Sequence, residues 1–238
     1  MISTPALRRL GPIVRSFRLQ STAASVPGAP DFNPSQNVHP GDTQAPLLLY
    51  TAGTPNGRKV AVLLEELKVA RGLQYDVHKI TLSKNEQKEP WFLALNPNGR
   101  IPALVDRNRG GFAVFESGAI LVYLAQHYDV GRMFAFDPAR EPEAYSEMLQ
   151  WVFWAVSAHA RYTDETERLY GVLEMRLADR DHLVGPGRGK YTIADINAHP
   201  WVAGHKWAGV ESLDRWPNMK RWVEGIAERP AVQAGFAV

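Results

Sequence analysis

The chain has 238 residues, of which 45% are hydrophobic and 22% charged, a balance typical of a folded globular protein. It contains no cysteine, which excludes disulfide bonds, thiolate metal sites and a nucleophilic thiol supplied by the protein. No stretch approaches the roughly 18 consecutive apolar residues of a membrane-spanning helix. The formal net charge is +2, but residues 1–30 hold four arginines and no acid. The rest of the chain therefore has no excess of positive charge, and nothing in it indicates a nucleic-acid-binding surface.

The first 25 residues have the composition of a mitochondrial transit peptide. They contain arginine, serine and leucine but no acidic residue. The alternative interpretation of this segment is a disordered tail without a targeting role. Residues 26–46 are rich in proline, glycine, asparagine and serine, which predicts an unstructured linker. We therefore expect mitochondrial localisation, with the cytoplasm as the alternative, and a folded body that begins near Leu47.

The first part of that body alternates between strand and helix patterns. Short apolar or alternating runs predict strands at 47–51, 74–82, 101–106 and 112–115. Apolar residues at helical spacing predict helices at 58–69, 91–96 and 118–127. This order predicts a small mixed sheet with helices packed on it, over residues 47–130.

Residues 140–238 show no strand pattern and predict an all-helical domain. Six tryptophans lie there at helical spacings, and we expect them to pack in its core: Trp151, Trp154, Trp201, Trp207, Trp216 and Trp222. The predicted fold class is therefore α/β plus all-α, in two successive domains.

The junction between the first predicted strand and helix is a candidate anion site. Thr54 is a good N-cap, and Pro55 suits the first helical position. The plain interpretation is only a capped helix start. The functional one adds the free backbone N–H groups, the Thr54 hydroxyl and the Asn56 amide, all donors that can hold an anion.

Two further junctions border the predicted hairpin. A cis bond at Ile101-Pro102 would turn the Ile101 backbone outward to pair with a peptide ligand. Ser117 is predicted to cap the next helix and to bind a carboxylate at its positive end, while Glu116 can accept an ammonium group. Such a pair suits an amino-acid head group, and a helix cap beside a solvated acid is the alternative.

Other polar motifs predict structure rather than chemistry. Thr192 and Asp195 approach a helix capping box. The glycine-rich stretch 185–190 lacks the spacing of a phosphate-binding loop. His199 and His205 have no third ligand in helical register, so we expect no metal site.

Taken together, the motifs resemble the glutathione transferase superfamily, and within it the Ure2p-like class of fungi and bacteria. In the first half the matching segments are TPNGRK (54–59), KNEQKEPWFLALNPNGRIPALVD (84–106) and FESGAILVYLA (115–125). In the second half they are LQWVFW (149–154), ETERLYGVLEMRLADR (165–180) and YTIADINAHPW (191–201). The resemblance covers nearly everything after residue 47.

The resemblance implies a thioredoxin-like, glutathione-binding domain followed by a helical domain of the transferase type, usually in a homodimer. It places Asn56 and Thr54 near the glutathione sulfur. The residues that it assigns to glutathione binding are Gln87 at the glycine end, Ile101 and a cis Pro102 at the cysteinyl part, Glu116 and Ser117 at the γ-glutamyl head, and Arg161, often across the dimer. Neither a metal nor another cofactor is implied.

The sequence departs from the family between Trp154 and Arg161. Only six residues separate them, whereas the family has a long helical hairpin there, so about twenty residues, or about 30 Å of helix, are missing. Three explanations account for this gap: an open pocket for an unusual substrate, a loss of catalysis, or a short stretch missing from the gene model. In the family, the missing segment helps to form the pocket for the electrophile and contributes to the dimer.

Three functions follow as hypotheses. The first is a glutathione transferase, in which the glutathione thiolate attacks an electrophilic small molecule. The second is glutathione-dependent reduction of a disulfide or peroxide, which uses two glutathiones and needs no protein cysteine. The third is a non-catalytic glutathione-binding or regulatory protein, which the short hairpin favours.

Overall fold

The computed structural model describes residues 44–157 and 163–238. Its first half contains a four-stranded mixed sheet, made of β1 (Leu47–Thr51), β2 (Tyr75–Lys79), β3 (Ala103–Asp106) and β4 (Phe112–Phe115). The strand order is β2-β1-β3-β4; β1 runs parallel to β2 and antiparallel to β3, and β3 and β4 form an antiparallel hairpin. All four predicted strands are present, although β2 and β3 are shorter than predicted.

Three helices accompany the sheet: α1 (Pro55–Arg71), α2 (Pro90–Leu95) and α3 (Ser117–His127). Five follow in the part of the second half that the structure describes: α4 (Pro142–Ser157), α5 (Thr163–Arg176), α6 (Ile193–Ala203), α7 (Pro217–Ala227) and α8 (Pro230–Ala237). The α/β plus all-α class is thereby confirmed. Within the described part of the second half, strand pairing is limited to one isolated bridge between Val184 and Lys190. In the same described residues, no helix is both long and apolar enough to cross a membrane.

The sheet is buried on both faces because its strands alternate between two cores. Leu47 and Leu49 join a large core that includes α1, α3 and the helices of the second half. Leu48 and Tyr50 point the other way and pack with Phe92 of α2. β1 is buried along its whole length, and burial on both faces fixes its register, which in turn fixes where the chain leaves the sheet.

The two halves are joined most closely where α1 meets α8. Arg229 donates two hydrogen bonds to the buried carboxylate of Glu66, at 2.6 and 3.0 Å. Gly235 sits so close to α1 that a Cβ atom there would lie 2.6 Å from the backbone nitrogen of Val62. Because the N-terminus of α1 belongs to the candidate anion site, this packing fixes the helix that carries that site against the helical half.

The predicted capping box at the start of α6 is confirmed. Asp195 Oδ2 accepts a hydrogen bond from the Thr192 backbone at 3.0 Å, and the Thr192 side chain caps α6 in return. Asp195 is fully buried, and its other oxygen accepts from the Leu183 backbone at 2.9 Å and from Trp222 Nε1 at 3.0 Å. This one carboxylate therefore ties together the α5–α6 loop, α6 and α7.

The expectation that all six tryptophans pack in the core is wrong in part. Trp216 and Trp222 are buried, but Trp207 is 67% exposed. Trp154, Trp201 and Trp207 instead line a cavity at the surface of the helical half. Helical spacing does not predict this exposure, because it does not show whether a neighbouring element covers the face on which an aromatic side chain lies.

Candidate functional site

Three chain junctions meet at one edge of the sheet because of the strand directions. The register pairs Tyr50 of β1 with Ala103 of β3, and Ala103 with Phe115 of β4. The ends of β1 and β4 therefore lie beside the start of β3. This edge is where the structure places six of the predicted residues: Thr54, Asn56, Ile101, Pro102, Glu116 and Ser117.

The first junction is the N-terminus of α1. Thr54 is its N-cap, as predicted, and its Oγ1 accepts a hydrogen bond from the Gly57 backbone at 3.2 Å. Since the hydroxyl oxygen acts as the acceptor, the hydroxyl proton is left for donation to a ligand. Asn56 lies in the first turn, and its Oδ1 accepts from Trp201 Nε1 at 3.3 Å. The helix start thus offers donors in a fixed arrangement.

The second junction is the loop before β3. The Ile101–Pro102 peptide bond is cis, as predicted. Asn96 holds this loop, because its amide nitrogen donates to the Arg100 carbonyl at 2.6 Å and its oxygen accepts from the Asn98 backbone at 3.0 Å. The conformation of the backbone around Ile101 is therefore set by a buried side chain before any ligand arrives.

Gln87 lies next to this loop, in a single 3₁₀ turn (Glu86–Lys88). A Cβ atom on Gly99 would lie 3.0 Å from the Gln87 carbonyl oxygen, and Lys88 Nζ donates to the Asn98 carbonyl at 3.3 Å. The Gln87 Oε1 atom is buried, and no donor among the described residues forms a hydrogen bond with it. The predicted glycine-end residue thus borders the same edge of the sheet as the other site residues.

The third junction is the N-terminus of α3, where one prediction needs correction. Glu116, and not Ser117, is the N-cap residue, and Ser117 is already the first helical residue. Glu116 adopts a positive φ of 69°, a conformation that is unusual for a residue with a side chain. The first intrahelical hydrogen bond runs from Ile120 to Glu116, so the amides of Ser117 and its two successors point out of the helix end. Such an end attracts a carboxylate.

Lys59 is a buried charged group that the sequence reasoning missed. It is fully buried on α1, where burial lowers the pKa of its ammonium group to about 7 while the Glu116 carboxylate acts in the opposite direction. Its Nζ lies 5.9 Å from the centre of the Trp201 ring. Lys59 therefore interacts with Glu116 of the first domain and with Trp201 of the second. The sequence signal for this burial was the spacing: Lys59 lies four residues before Leu63, on the apolar face of α1.

The shifted pKa of Lys59 predicts a pH dependence of stability. Between about pH 7 and 10.5 the unfolded chain binds a proton at Lys59 that the folded chain does not, so stability must rise with pH. We expect the difference in unfolding free energy between wild type and Lys59→Met to change by about 2–3 kcal/mol from pH 7 to 9.5. Denaturant titrations across that range measure it. The titrations are kept below pH 10. Above that pH, tyrosines with raised pKa values, such as Tyr75, make stability fall as the pH rises.

The matched control for this prediction is Lys68→Met, on the same helix. The Lys68 side chain is about half exposed, so this variant replaces a solvated lysine of α1 by methionine instead of the buried one. If Lys59→Met keeps the wild-type slope, the buried lysine does not titrate in this range and the prediction is wrong.

A cavity of about 120 Å³ lies beside the N-terminus of α1, between α4, α5 and α6. Its walls are mostly apolar and include Trp154, Leu169, Tyr170, Leu173, Trp201 and Trp207. Trp201 belongs to both features, since it lines the cavity and holds Asn56. The arrangement places an apolar space next to a set of anion-binding donors.

The remaining candidates contribute differently. Arg161 lies outside the described residues. Among the described ones, no three histidine, aspartate or glutamate side chains form a metal-binding group. His199 Nε2 lies 3.1 Å from the Val223 carbonyl, and burial lowers the pKa of its ring to about 4. Tyr50 lies near the end of β1, but its side chain is buried among aromatic rings of the core.

Comparison with known proteins identifies the family. The description "Glutathione S-transferase, N-terminal domain" matches residues 45–126, and "Glutathione S-transferase, C-terminal domain" matches residues 157–230. The chain belongs to the glutathione S-transferase family. Its sheet half is the thioredoxin-like domain, and its second half is the helical domain of that family.

Curated proteins and solved structures of the Ure2p-like class are among those similar to this chain. The chain is 38% identical to Glutathione S-transferase 2 of Schizosaccharomyces pombe, over 79% of this chain and 94% of the relative. It is 39% identical to the disulfide-bond oxidoreductase YfcG of Escherichia coli, over 77% and 91%. The crystal structure of the transferase URE2P6 from Phanerochaete chrysosporium with oxidized glutathione matches with a TM-score of 0.74 and 33% identity, over 82% and 96%.

Proposed function

We propose that this chain is a glutathione transferase that activates the glutathione thiolate for attack on an electrophilic small molecule. The observation that carries the proposal is the meeting of three donor-bearing junctions beside an apolar cavity. Glutathione has an amino-acid head, a peptide middle and a thiol, and the junctions match these parts in order. In this assignment Glu116 and Ser117 hold the γ-glutamyl head, Ile101 pairs with the middle, and Thr54 and Asn56 face the sulfur.

In this proposal, Thr54 and Asn56 must supply only a small free energy of thiolate stabilisation. A thiol with a pKa near 8.5 is only about 3% thiolate at pH 7. Lowering that pKa by about two units requires about 2.7 kcal/mol of preferential stabilisation of the anion. Two donors at a helix N-terminus are sufficient for this, since a hydrogen bond to a charged group contributes about 1.5–3 kcal/mol. The thiolate then forms a carbon–sulfur bond as the leaving group departs.

Glutathione binding is the experiment that tests the site. We expect calorimetry to show micromolar to millimolar binding, and Ser117→Ala to weaken it about tenfold or more, because a hydrogen bond to a carboxylate is lost. Ser212→Ala, at an exposed position in the helical half outside the three junctions, is the matched control. No binding by the wild-type chain would overturn the proposal.

Disulfide reduction is a second candidate function, favoured by the absence of cysteine and by the name of the Escherichia coli relative. A first glutathione thiolate would attack the substrate disulfide, and a second would attack the resulting mixed disulfide. The products are oxidised glutathione and two thiols, so no protein sulfur is needed. Assays with an aromatic halide and with hydroxyethyl disulfide separate the two reactions. Activity in neither, with glutathione still bound, would support a non-catalytic binding protein.

We also propose that the chain forms a homodimer through an apolar groove. The groove, about 620 Å³ in volume, runs between β4, α3 and α4, and Phe112 and Phe153 on its walls are both more than half exposed. Exposed apolar surface of this kind marks an interaction site. Light scattering should give twice the mass of one chain for wild type and Val130→Glu, but a monomer for Phe153→Glu.

Mitochondrial import remains a separate proposal, supported by the composition of residues 1–25. A reporter fused to residues 1–30 should be imported, and a reporter that stays in the cytosol would contradict it.

A further inference from the structure

Trp201 fixes the orientation of the Asn56 amide from the opposite domain. Its Nε1 lies 3.3 Å from Asn56 Oδ1. An indole N–H only donates, so the amide oxygen must face Trp201 and the two amide N–H groups must face away from it. Among the described residues, Trp201 is the one side chain that hydrogen-bonds to this amide.

The orientation of this amide matters because its two ends act oppositely on an anion. An amide N–H stabilises a nearby thiolate, whereas the amide oxygen repels it, and the two ends have nearly the same shape. A freely rotating Asn56 would present both ends to the sulfur. A partner that only donates removes the unfavourable orientation, and a donor set fixed in advance needs no reorganisation when charge develops.

We propose that Trp201 is a positioning residue that lowers the pKa of bound glutathione by holding the Asn56 N–H groups toward the sulfur. The proposal rests on the proposed function, in which Asn56 donates to the thiolate. Trp201 also lines the cavity beside the site. The same side chain therefore forms part of the cavity wall and holds the Asn56 amide.

Removal of the indole N–H tests this role. We expect Trp201→Phe to raise the pKa of the bound thiol by about one unit, which means about tenfold less thiolate below the pKa. Ultraviolet absorbance of the thiolate in the glutathione complex, measured against pH, gives this value directly. The same loss should appear in kcat/KM at low pH and disappear at high pH, which a merely structural role would not produce. A benzothienylalanine at position 201, which keeps the bicyclic shape but lacks the N–H, guards against misfolding of the phenylalanine variant.

Trp207→Phe is the matched control, since it alters the same cavity wall without contacting Asn56. We expect the thiol pKa of this variant to equal that of wild type. The double variant Asn56→Ala/Trp201→Phe should raise the thiol pKa no further than Asn56→Ala alone, because Trp201 acts through Asn56.

The outcomes separate this inference from the proposed function. If Asn56→Ala leaves the thiol pKa unchanged, the assigned role of Asn56 fails, and the role of Trp201 fails with it. If Asn56→Ala raises the pKa but neither position-201 variant does, only the inference about Trp201 is overturned. Additive effects in the double variant would also overturn it, since Trp201 would then act independently of Asn56.

Discussion

Replacing Asp195 with alanine will lower the free energy of unfolding by about 3–5 kcal/mol. This carboxylate is fully buried and accepts hydrogen bonds from the backbones of Thr192 and Leu183 and from the Trp222 indole. Removing it leaves three buried donors without their acceptor and takes away half of a capping box. Denaturant unfolding monitored by tryptophan fluorescence will measure the loss.

A graded series distinguishes hydrogen bonding from packing at this position. Asp195→Asn keeps the volume and one oxygen, so it can still accept from Leu183 and Trp222 but loses the acceptor for the Thr192 backbone. We expect its destabilisation to be smaller than that of Asp195→Ala. Asp179→Ala, an exposed carboxylate near the end of α5, should change stability little. Equal losses in the alanine and asparagine variants would mean that the Thr192 hydrogen bond dominates the site.

Asp195 also illustrates how far the sequence could predict the fold. Its capping role is local, because it depends on a spacing of three residues, and that spacing is visible in the chain. Its contacts with Leu183 and Trp222 depend on how α6 packs against α7 and the preceding loop, which no local pattern contains. The strands and the three helices of the first half were predictable for the same reason, since periodicity is local, whereas the second half was predicted only as helical. The end of β2 was not, because only pairing with β1 sets it.

The candidate site divides along the same line. Thr54 and Ser117 follow strands and lie at helix starts, so their residue types and positions indicated anion binding, whereas the Glu116 carboxylate indicated an ammonium partner. The N-cap assignment at α3 was wrong because the positive φ of Glu116 comes from the tight exit from β4, which sequence spacing does not record. Trp201 and Lys59 were missed because their roles arise only when α6 packs against α1.

The second large effect is expected at Gly57, in the first turn of α1. A Cβ atom there would lie 2.3 Å from both the Ala52 carbonyl oxygen and Thr51 Oγ1. Since the chain has just left β1, the backbone carbonyl cannot move without disturbing the sheet edge. We expect Gly57→Ala to displace the start of α1, to cost about 2–3 kcal/mol of stability and to reduce glutathione affinity and kcat/KM by about 100-fold.

The size of this effect follows from what Gly57 holds. Its backbone N–H donates to Thr54 Oγ1, so a shift of the helix start breaks the N-cap and moves Asn56 away from Trp201 at once. Gly53→Ala is the matched control in the same loop, because a Cβ atom there would meet nothing within 4 Å. Calorimetry and initial rates, taken well below the unfolding temperature, separate loss of the site from loss of the fold. Glutathione binding by Gly57→Ala at wild-type affinity would show that the close approach of α1 to the end of β1 does not position the sulfur-binding groups.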